Sequence, residues 1–519
     1  MKALQVGLLG FGTVGRGTWD VLRRNAEEIT RRAGRPIRIT WIATRTLERA
    51  RAGARGITDV QFTADPTVVT RNPDIDIVCE LIGGIEPART LVLDAIAHGK
   101  HVVTANKALL AEHGNEIFAA AHAKGVMVAF EGAVAGGVPI IKALREGLTA
   151  NRIEWIAGII NGTSNFILST MRESGASFET ALKEAQARGY AEADPTFDVD
   201  GIDAAHKLTI MSAIAFGVPM QFDKAYAEGI SKLTREDLRY AEQLGYRIKL
   251  LGITRRAPNG IELRVHPTLI PAKRLIANVE GAMNAVLVKG DAVGATLYYG
   301  AGAGAEPTAS AVIADLVDVT RMHTADPEHR VPHLAFQPDQ LTDVPFLPMG
   351  DVETSYYLRM RVLDRPGVLA DITRILADRE ISIDAMIQKE PTEGEDQTDI
   401  ILLTHKSIEH RVPHLAFQPD RLSNIPILPM GEVETACYLR MRVQDRPGVL
   451  ADITRILADR DISIEAMVQK EPHEGEDQVD IIMLTHLTLE KNVDAAIAKI
   501  EGLPVVVGKV TRIRLEELN

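Results

Sequence analysis

The sequence contains very little cysteine: Cys79 and Cys437 are its only two among 519 residues. Two cysteines cannot form a disulfide framework, so we expect a reducing compartment or a chain that is indifferent to redox conditions. Basic residues are also in the minority, because 58 Lys and Arg stand against 70 Asp and Glu, a formal net charge of −12. This acidic balance argues against nucleic acid as the main partner, since phosphate recognition favours a basic surface.

Long apolar runs are missing as well. No run reaches the roughly 18 residues that suggest a membrane span, and residues 1–10 predict a first strand rather than a secretion signal. We therefore expect a cytoplasmic protein without membrane contact. The hydrophobic content of 46% and the charged content of 25% are typical of globular chains. At about 150 residues per domain, the length predicts about three or four domains.

The first part of the chain alternates short apolar runs with helical patterns. Strands are predicted at residues 3–9, 37–43, 75–79, 101–104 and 126–130. Such alternation predicts parallel βαβ units, and the near-continuous apolar strands fit a sheet covered on both faces. From about residue 139 to residue 318 the pattern changes to one typical of an α+β domain.

A glycine-rich turn follows the first predicted strand and reads Gly10, Phe11, Gly12, Thr13, Val14 and Gly15. A predicted helix starts there, which is the context that this nucleotide-binding fingerprint requires. The first glycine permits the tight turn, the second lets backbone approach a pyrophosphate, and the third lets helix pack on strand. The anion then lies at the helix N-terminus. We therefore predict a dinucleotide site; the alternative is a glycine-rich turn without a ligand.

The segment after the second predicted strand bears on the choice between NAD and NADP. It reads Ala-Thr-Arg-Thr at residues 43–46, with no carboxylate before Glu48. An acidic residue here commonly binds the ribose 2′-hydroxyl of NAD, whereas an arginine suits the 2′-phosphate of NADP. Arg45 therefore predicts a preference for NADP over NAD; the alternative is a solvated surface arginine.

Two lysines are candidates for a reaction centre. Lys107 comes just after a predicted parallel strand, where ligands of open α/β sheets gather. Lys207 and Asp203 are four residues apart on a predicted helix, so they share a face. A lysine beside a carboxylate can transfer a proton or bind a polar substrate. Three alternatives remain: a solvated Lys107, a surface ion pair between Asp203 and Lys207, and metal binding by the acidic loop of residues 189–203. That loop, however, lacks the ligand spacing of a calcium-binding loop.

Four long motifs together resemble homoserine dehydrogenase. They occupy residues 99–110, 131–139, 159–167 and 189–207, and the similarity extends from residue 1 to about residue 345. The resemblance implies interconversion of L-homoserine and L-aspartate 4-semialdehyde with NAD(P), in threonine, methionine and isoleucine biosynthesis. It also implies an α/β fold, with a Rossmann-type nucleotide-binding domain followed by an α+β catalytic and dimerisation domain.

The same resemblance implies roles for single residues. The catalytic group comprises Lys207, which matches the catalytic lysine, Lys107, which matches a lysine reaching substrate and nicotinamide, and Asp203. The substrate-binding carboxylates are Glu192, Asp203 and Asp198, and further cofactor contacts are Gly189 and Gly304. Family members also bind a monovalent cation, commonly sodium, in the segment that matches Glu131, Val134, Gly136 and Val138.

The C-terminal part repeats itself. Residues 329–405 recur as residues 410–486 at an offset of 81, and 62 of the 77 aligned pairs are identical, which indicates a recent duplication. Each copy carries an Asp-Arg-Pro-Gly turn between a predicted strand and helix, at residues 364–367 and 445–448. This arrangement resembles the ACT domain, a βαββαβ (ferredoxin-like) amino-acid sensor. Only the second copy continues through a last predicted helix and strand.

These observations predict a division of the chain into five segments. They are a NAD(P)-binding domain at 1–138, a catalytic and dimerisation domain at 139–345, a partial ACT-like repeat at 350–409, a duplicated linker at 410–430 and an ACT domain at 431–519. The resemblance implies feedback by an amino acid, threonine, and a homo-oligomer, dimer or tetramer. The alternative is an oligomerisation module that senses nothing. The truncated copy leaves a sheet edge, which either pairs with the second copy or packs poorly.

Two rival functions remain. Aspartate-semialdehyde dehydrogenase shares a substrate and cofactor, but it needs a nucleophilic cysteine, and Cys79 and Cys437 both lie in predicted strands. The other rival is an inactive amino-acid sensor. The presence of Lys107, Glu192 and Lys207 argues against this rival.

Overall fold

The computed structural model of the chain describes residues 2–53, 59–323, 333, 341–363, 383–388, 394–404, 406–408, 433–444, 449–473 and 478–515. Both Asp-Arg-Pro-Gly turns, the helix predicted at 369–378 and the linker at 410–430 lie outside these residues.

Strands are numbered in chain order. They are β1 Leu4–Leu9, β2 Ile37–Ala43, β3 Gln61–Thr63, β4 Ile77–Glu80, β5 His101–Thr104, β6 Val128–Ala129, β7 Ile153–Ile159, β8 Tyr226–Ala227, β9 Tyr246–Ala257, β10 Gly260–Pro271, β11 Met283–Gly290, β12 Gly294–Ala301, β13 Phe346–Leu347, β14 Met349–Leu363, β15 Ile383–Gln388, β16 Gly394–Thr404, β17 Lys406–Ile408, β18 Val433–Gln444, β19 Ile464–His473, β20 Gln478–Thr485, β21 Leu487–Leu489 and β22 Thr511–Leu515.

Helices are numbered in the same way. They are α1 Thr13–Arg24, α2 Ala26–Ala33, α3 Leu47–Gly53, α4 Thr67–Arg71, α5 Ala88–Ala97, α6 Lys107–Lys124, α7 Ile140–Lys142, α8 Gly162–Ser174, α9 Phe178–Ala187, α10 Thr196–Val199, α11 Ile202–Phe216, α12 Arg235–Gln243, α13 Ala305–Met322, α14 Val449–Ala458 and α15 Glu490–Glu501. Among the described helices, none has the length and apolar character needed to cross a membrane.

The chain divides into two compact units. The first comprises Met1–Thr163, Ile202–Asp223 and Gly281–Thr342, and the second comprises Ser164–Gly201, Lys224–Glu280 and Asp343–Asn519.

In the first unit, β1 to β6 form a parallel sheet in the order β3-β2-β1-β4-β5-β6. Leu8 of β1, for example, lies opposite Ile42 of β2 and Cys79 of β4. The strand order reverses at β1 and β4, and such a switch point forms a ligand crevice at the carboxyl ends of the strands. Apolar side chains of the strands pack with Trp19 of α1 and Leu316 of α13 in one buried cluster. The Rossmann-type α/β architecture expected from the sequence is confirmed.

Two predicted elements differ from the structure. The residue pattern predicts one continuous helix over residues 13–32, but the structure interrupts it at Asn25, which has φ −108° and ψ 20° and separates α1 from α2. Asparagine favours helix ends because its side chain competes with helical hydrogen bonding. The pattern also predicts a last strand at residues 505–513, but β22 begins only at Thr511, because Gly508 takes a left-handed turn with φ +87°.

The first unit also contains the antiparallel strands β7, β11 and β12, with β11 between the other two. Beside them runs α11, in which all residues from Asp203 to Phe216 are buried. A helix buried on all sides leaves its polar residues out of water, so each needs a partner inside the protein. This requirement shapes the site described below.

In the second unit, the second repeat copy forms a βαββαβ arrangement of β18, α14, β19, β20, α15 and β22. Its sheet has the order β22-β18-β20-β19, with Leu439 opposite Met483 in the central antiparallel pair. Apolar residues of α14 and α15, such as Ile453 and Val493, pack with these strands in a buried cluster. The expected complete ferredoxin-like unit is therefore present.

Strands of the first copy use the same ladder positions as their counterparts. Leu358 of β14 lies opposite Met483, as does Leu439, the residue 81 positions later on β18. The parallel pair of β14 with β18 likewise places Tyr356 beside Cys437, again 81 positions apart. The sequence offset of 81 positions therefore recurs in the strand register.

Candidate active site

The glycine-rich turn after β1 is built as the sequence predicts. Gly10 has φ +98°, and a Cβ there would lie 2.7 Å from the carbonyl oxygen of Leu81. A Cβ on Gly15 would lie 2.3 Å from the Gly10 oxygen, so only glycine lets α1 start this close to the strand. A Cβ on Gly12 would meet nothing within 4 Å, which leaves open space before the N-terminus of α1. Such a cradle fits a pyrophosphate.

This turn opens into a cavity of about 690 Å³. Its lining residues come from the ends of the neighbouring strands β1, β2, β3 and β4 and from the segments that follow them. They are Gly10, Phe11, Gly12, Thr13, Arg16, Ala43, Thr44, Arg45, Thr46, Ala50, Ala64, Pro66, Leu81, Ile82, Gly83, Glu86, Pro87 and Leu91. Arg45 is exposed at the end of β2 and belongs to this lining. Arg16 also lines the cavity, although it was not predicted from the sequence. Its position one turn into the helix that follows the glycine-rich turn could have indicated this.

Lys107 is the first residue of α6 and follows β5 after a short turn. The side chain of Asn106 caps this helix by accepting from the backbone N–H of Leu109 at 3.1 Å. The Lys107 side chain is 36% exposed, and its Nζ lies 2.5 Å from Oδ1 of Asp203. The ion pair with Asp203 argues against the alternative of a merely solvated lysine.

Asp203 and Lys207 form the centre of the site. Their side chains are only 2% and 9% exposed, and Lys207 Nζ donates to Oδ2 of Asp203 at 2.6 Å. Burial opposes ionisation of Asp203, but the charges and hydrogen bonds of Lys207 and Lys107 outweigh it and hold the pKa of this carboxyl well below its usual range. The alternative of a surface ion pair is therefore wrong, because the pair is buried and its carboxylate contacts a second lysine.

Two further groups fix this centre. Lys207 Nζ also donates to the carbonyl oxygen of Ile160 at 2.8 Å, and Asn161 Nδ2 donates to Oδ2 of Asp203 at 2.8 Å. Asn161 lies inside the 159–167 motif but was not assigned a role from the sequence. Burial lowers the pKa of the adjacent His206 to about 4, with Asp203 opposing that shift, so this imidazole is neutral at pH 7.

The segment expected to hold a cation contains buried acid. Glu131 is 2% exposed, and its two oxygens accept from the backbone N–H groups of Ile141 and Lys142 at 2.9 and 2.8 Å. Its own N–H donates to Oδ2 of Asp315 at 2.7 Å. Burial raises the pKa of Glu131, and burial together with the Glu131 charge raises the pKa of Asp315 to about 7.

The other three residues of this segment share one turn. Val134 and Val138 are buried, and Gly136 has φ +48°, where a Cβ would lie 2.6 Å from the Gly302 oxygen. Buried acid and a tight turn are compatible with an oxygen site for a small cation. Among the described residues, no group of three or more His, Cys, Asp or Glu is arranged to hold a metal ion.

The remaining predicted residues are described unit by unit. In the second unit Glu192 is exposed, Asp198 lies on α10 with its carbonyl accepting from Ser164 Oγ at 3.0 Å, and Gly189 follows α9 with φ +74°. In the first unit Gly304 precedes α13 with φ +122°. Both glycines adopt backbone conformations that other residues rarely take.

Neither cysteine fits a nucleophile. Cys79 on β4 and Cys437 on β18 are both fully buried. Burial raises the pKa of the Cys79 thiol, and the charges of Asp315 and Glu80 raise it further. A reactive cysteine needs the thiolate form and access to substrate, so the cysteine-dependent rival loses its support.

Comparison with known families gives matches over most of the chain. The family described as homoserine dehydrogenase, NAD binding domain matches residues 10–131, and that described as homoserine dehydrogenase matches residues 139–317. The ACT domain family matches twice, at residues 356–416 and 438–505.

Individual relatives agree with the family matches. A homoserine dehydrogenase of Pseudomonas aeruginosa is 64% identical over 413 residues, covering 79% of this chain and 94% of the relative. One of Methylobacillus glycogenes is 49% identical over 519 residues and covers both chains completely. A crystal structure of a homoserine dehydrogenase from Thiobacillus denitrificans has a TM-score of 0.79 and 64% identity, covering 100% of this chain and 99% of that one.

Proposed function

The chain belongs to the homoserine dehydrogenase family, and we propose that Lys207, Lys107 and Asp203 carry out its oxidoreductase reaction. The observation that supports this assignment is the buried carboxylate of Asp203 between the two lysine ammonium groups. Converting the primary alcohol of L-homoserine to the aldehyde of L-aspartate 4-semialdehyde requires loss of a hydride and a hydroxyl proton. The nicotinamide cofactor, when bound, supplies the hydride chemistry.

Lys207 is the group proposed to exchange the hydroxyl proton. Asp203 and the Ile160 carbonyl oxygen hold its Nζ in one place, which orients it toward a bound alcohol. Asp203 stays ionised because both lysines stabilise its charge. Lys107 stands at the start of α6, at the carboxyl end of β5, where it contacts substrate beside the nicotinamide.

Recognition of the amino-acid part of the substrate is proposed for Glu192, Asp198 and Asp203. Their carboxylates suit the ammonium group of L-homoserine, which seeks an anionic partner. Asp203 is already engaged with the two lysines, so we assign the ammonium mainly to Glu192, whose side chain is exposed. Gly189 and Gly304 are proposed as backbone contacts to the cofactor.

NADP is the proposed preferred cofactor, with NAD as the second. Arg45 supports this choice because it lines the nucleotide cavity at the end of β2, where the 2′ position of the ribose is expected. Its neighbours Thr44 and Thr46 line the same cavity and carry no charge that would oppose a phosphate.

A monovalent cation, sodium, is proposed for the segment of Glu131, Val134, Gly136 and Val138. The buried carboxyls of Glu131 and Asp315, which are joined by the hydrogen bond from the Glu131 N–H to Asp315, support it because hard cations prefer oxygen ligands. Glu131 would supply a carboxylate and the other three residues backbone oxygens.

The ACT region is proposed to sense threonine, the end product of the pathway. The second copy contains the whole βαββαβ arrangement, whereas in the sequence the repeat at 350–409 runs directly into the next copy. Domains at 1–138 and 139–345 are proposed to bind the cofactor and to carry out the reaction.

A steady-state assay tests these assignments together. The purified chain is assayed with L-homoserine, with NADP or NAD, in sodium or choline chloride, and with or without threonine. We expect aldehyde formation, a higher kcat/KM with NADP, stimulation by sodium and inhibition by threonine. Each result is read separately, so activity without inhibition would contradict the threonine proposal alone.

A further inference from the structure

Glu80, the last residue of β4, is a buried carboxylate that the assignments above do not use. It is fully buried, and none of the ion pairs among the described residues includes it. Its Oε1 accepts from the backbone N–H groups of Ile82 and Gly83 at 2.8 and 3.1 Å, and its Oε2 accepts from the hydroxyl of Thr104 at 2.7 Å. A carboxylate is costly to bury, so three hydrogen bonds at one position indicate a defined task.

On one side, Glu80 shapes the wall of the nucleotide cavity. Ile82 and Gly83, whose N–H groups it accepts, both line that cavity. Gly83 has φ +80°, a conformation that few residues other than glycine adopt. Two charge-assisted hydrogen bonds from one carboxylate hold this loop in a single arrangement.

On the other side, Glu80 reaches the start of the helix that carries Lys107. The Thr104 hydroxyl that donates to Glu80 also accepts from the N–H of Asn106 at 3.0 Å. Asn106 in turn donates through Nδ2 to the Gly84 oxygen at 2.6 Å and caps α6 through Oδ1. The hydrogen bonds therefore run from the cavity loop, through Glu80 and Thr104, to the residue next to Lys107.

We propose that Glu80 is a positioning residue that holds the cofactor loop and Lys107 in one fixed geometry, with Thr104 as its link to the lysine. The inference depends on the proposed role of Lys107 in the reaction. Neither Glu80 nor Thr104 needs to contact substrate or cofactor. Small displacements of reacting groups cost catalysis more than they cost folding, so removal of the link lowers kcat without abolishing the fold.

The first experiment separates the two sides of the network with Thr104→Val. This change removes the hydroxyl that joins Glu80 to Asn106 and leaves both bonds to the cavity loop. We expect kcat to fall about tenfold while KM for NADP stays within about twofold. The matched control is Thr70→Val, which removes another buried hydroxyl that donates to a carboxylate, Asp94, outside the cavity lining. We expect that control to retain its kcat.

A double-mutant cycle tests whether Thr104 acts through Lys107. In a Lys107→Met background, Thr104→Val should change kcat by no more than about twofold, because the group that it positions is gone. A merely structural role would lower kcat by the same factor in both backgrounds and would overturn the proposal. If Lys107→Met itself keeps full activity, the proposed function of Lys107 fails first, and the inference fails with it.

The second variant is Glu80→Gln, which alters both sides. We expect a raised KM for NADP, by about threefold or more, together with a lowered kcat, since an amide offers the loop and Thr104 one acceptor oxygen instead of two. Unchanged KM and kcat alongside a lowered melting temperature would show a structural role only. Should this variant fail to fold, the Thr104→Val comparison still decides the question.

Discussion

The hydroxyl of Tyr438 donates a 2.7 Å hydrogen bond to Oδ1 of Asp237, and both side chains are fully buried. Tyr438 lies on β18 of the second repeat copy, and Asp237 lies in the first turn of α12. Asp237 also accepts from the backbone N–H of Thr234, which caps that helix, at 2.9 Å. Strand β18 of the ACT domain is thus joined to α12 through the carboxylate that stabilises the start of the helix.

This contact can be tested by removing the tyrosine hydroxyl. We expect Tyr438→Phe to lower the free energy of unfolding by about 1–2 kcal/mol, because a buried acceptor loses a donor. Tyr299→Phe, at an exposed tyrosine of β12, should change it by less than about 0.5 kcal/mol. Urea denaturation of both variants measures the difference; equal losses would mean that the Tyr438 hydrogen bond adds no stability.

Replacing either lysine of the site should impair the chemical step. We expect Lys207→Met and Lys107→Met each to lower kcat by about a hundredfold or more, since a positioned proton-transfer group contributes roughly 10²–10⁴. Lys100→Met is the matched control, because Lys100 is a buried lysine whose Nζ donates to the Ile75 backbone oxygen. Steady-state kinetics with homoserine measure the effect. Full activity of Lys207→Met would refute its assignment.

Arg45→Asp should reverse the cofactor preference. A carboxylate at this position repels the 2′-phosphate of NADP and accepts from the 2′-hydroxyl of NAD. We expect the NADP to NAD ratio of kcat/KM to fall by about tenfold or more, which corresponds to about 1.4 kcal/mol. Arg38→Asp, at an exposed residue of the preceding strand β2 and outside the cavity lining, serves as control. An unchanged ratio would remove Arg45 from the cofactor site.

His206 should make the folded state less stable in acid. Its pKa is lowered by burial to about 4, against 6.5 for an ordinary histidine. Between these two values the unfolded chain binds more protons than the folded one, so stability falls as the pH falls. We expect His206→Gln to become more stable relative to the parent by roughly 3 kcal/mol between pH 7 and pH 4. Denaturant unfolding at both pH values measures this shift; a constant difference between the two proteins would contradict it.

Glu131→Gln should remove the response to sodium. In the parent chain we expect sodium chloride, compared with choline chloride, to raise the melting temperature, because a ligand that binds only the folded state stabilises it. The amide variant lacks the negative charge that attracts the ion, so both salts should act alike. Glu146→Gln, at a more exposed glutamate that pairs with Arg145, is the control. A sodium effect that persists in Glu131→Gln would place the ion elsewhere.

The nucleotide-binding turn and its surrounding strands could be predicted almost entirely from the local pattern of residue types. Gly10 and Gly15 stand where a backbone conformation or a close approach allows only glycine, and Gly12 leaves open space before α1. The three glycines at this spacing can be recognised from the residue types alone. Asp203 and Lys207 could be paired for a similar reason, because a spacing of four residues places two side chains on one helix face. The helix break at Asn25 was missed because one weak helix former inside a periodic pattern carries little signal.

Burial could not be predicted in the same way. An acidic loop followed by Asp203 and Lys207 is as typical of a solvated surface as of an enclosed site. The buried pair follows from α11 being enclosed along almost its whole length, a property of its neighbours rather than of its own residues. Glu80 was missed for the same reason, since one carboxylate after an apolar run does not reveal which N–H groups it will meet.

Residue types at short spacings identify the kind of molecule from the sequence alone: a dinucleotide-binding enzyme of a recognisable family, with a duplicated ACT segment. The tertiary structure alone decided which charges meet. Asp203 lies 96 residues after Lys107, yet their side chains approach to 2.5 Å inside the protein. Contacts over such distances arise from the packing of strands and helices around a common core. That packing depends on the whole chain, and it turns one carboxylate into the common partner of two lysines.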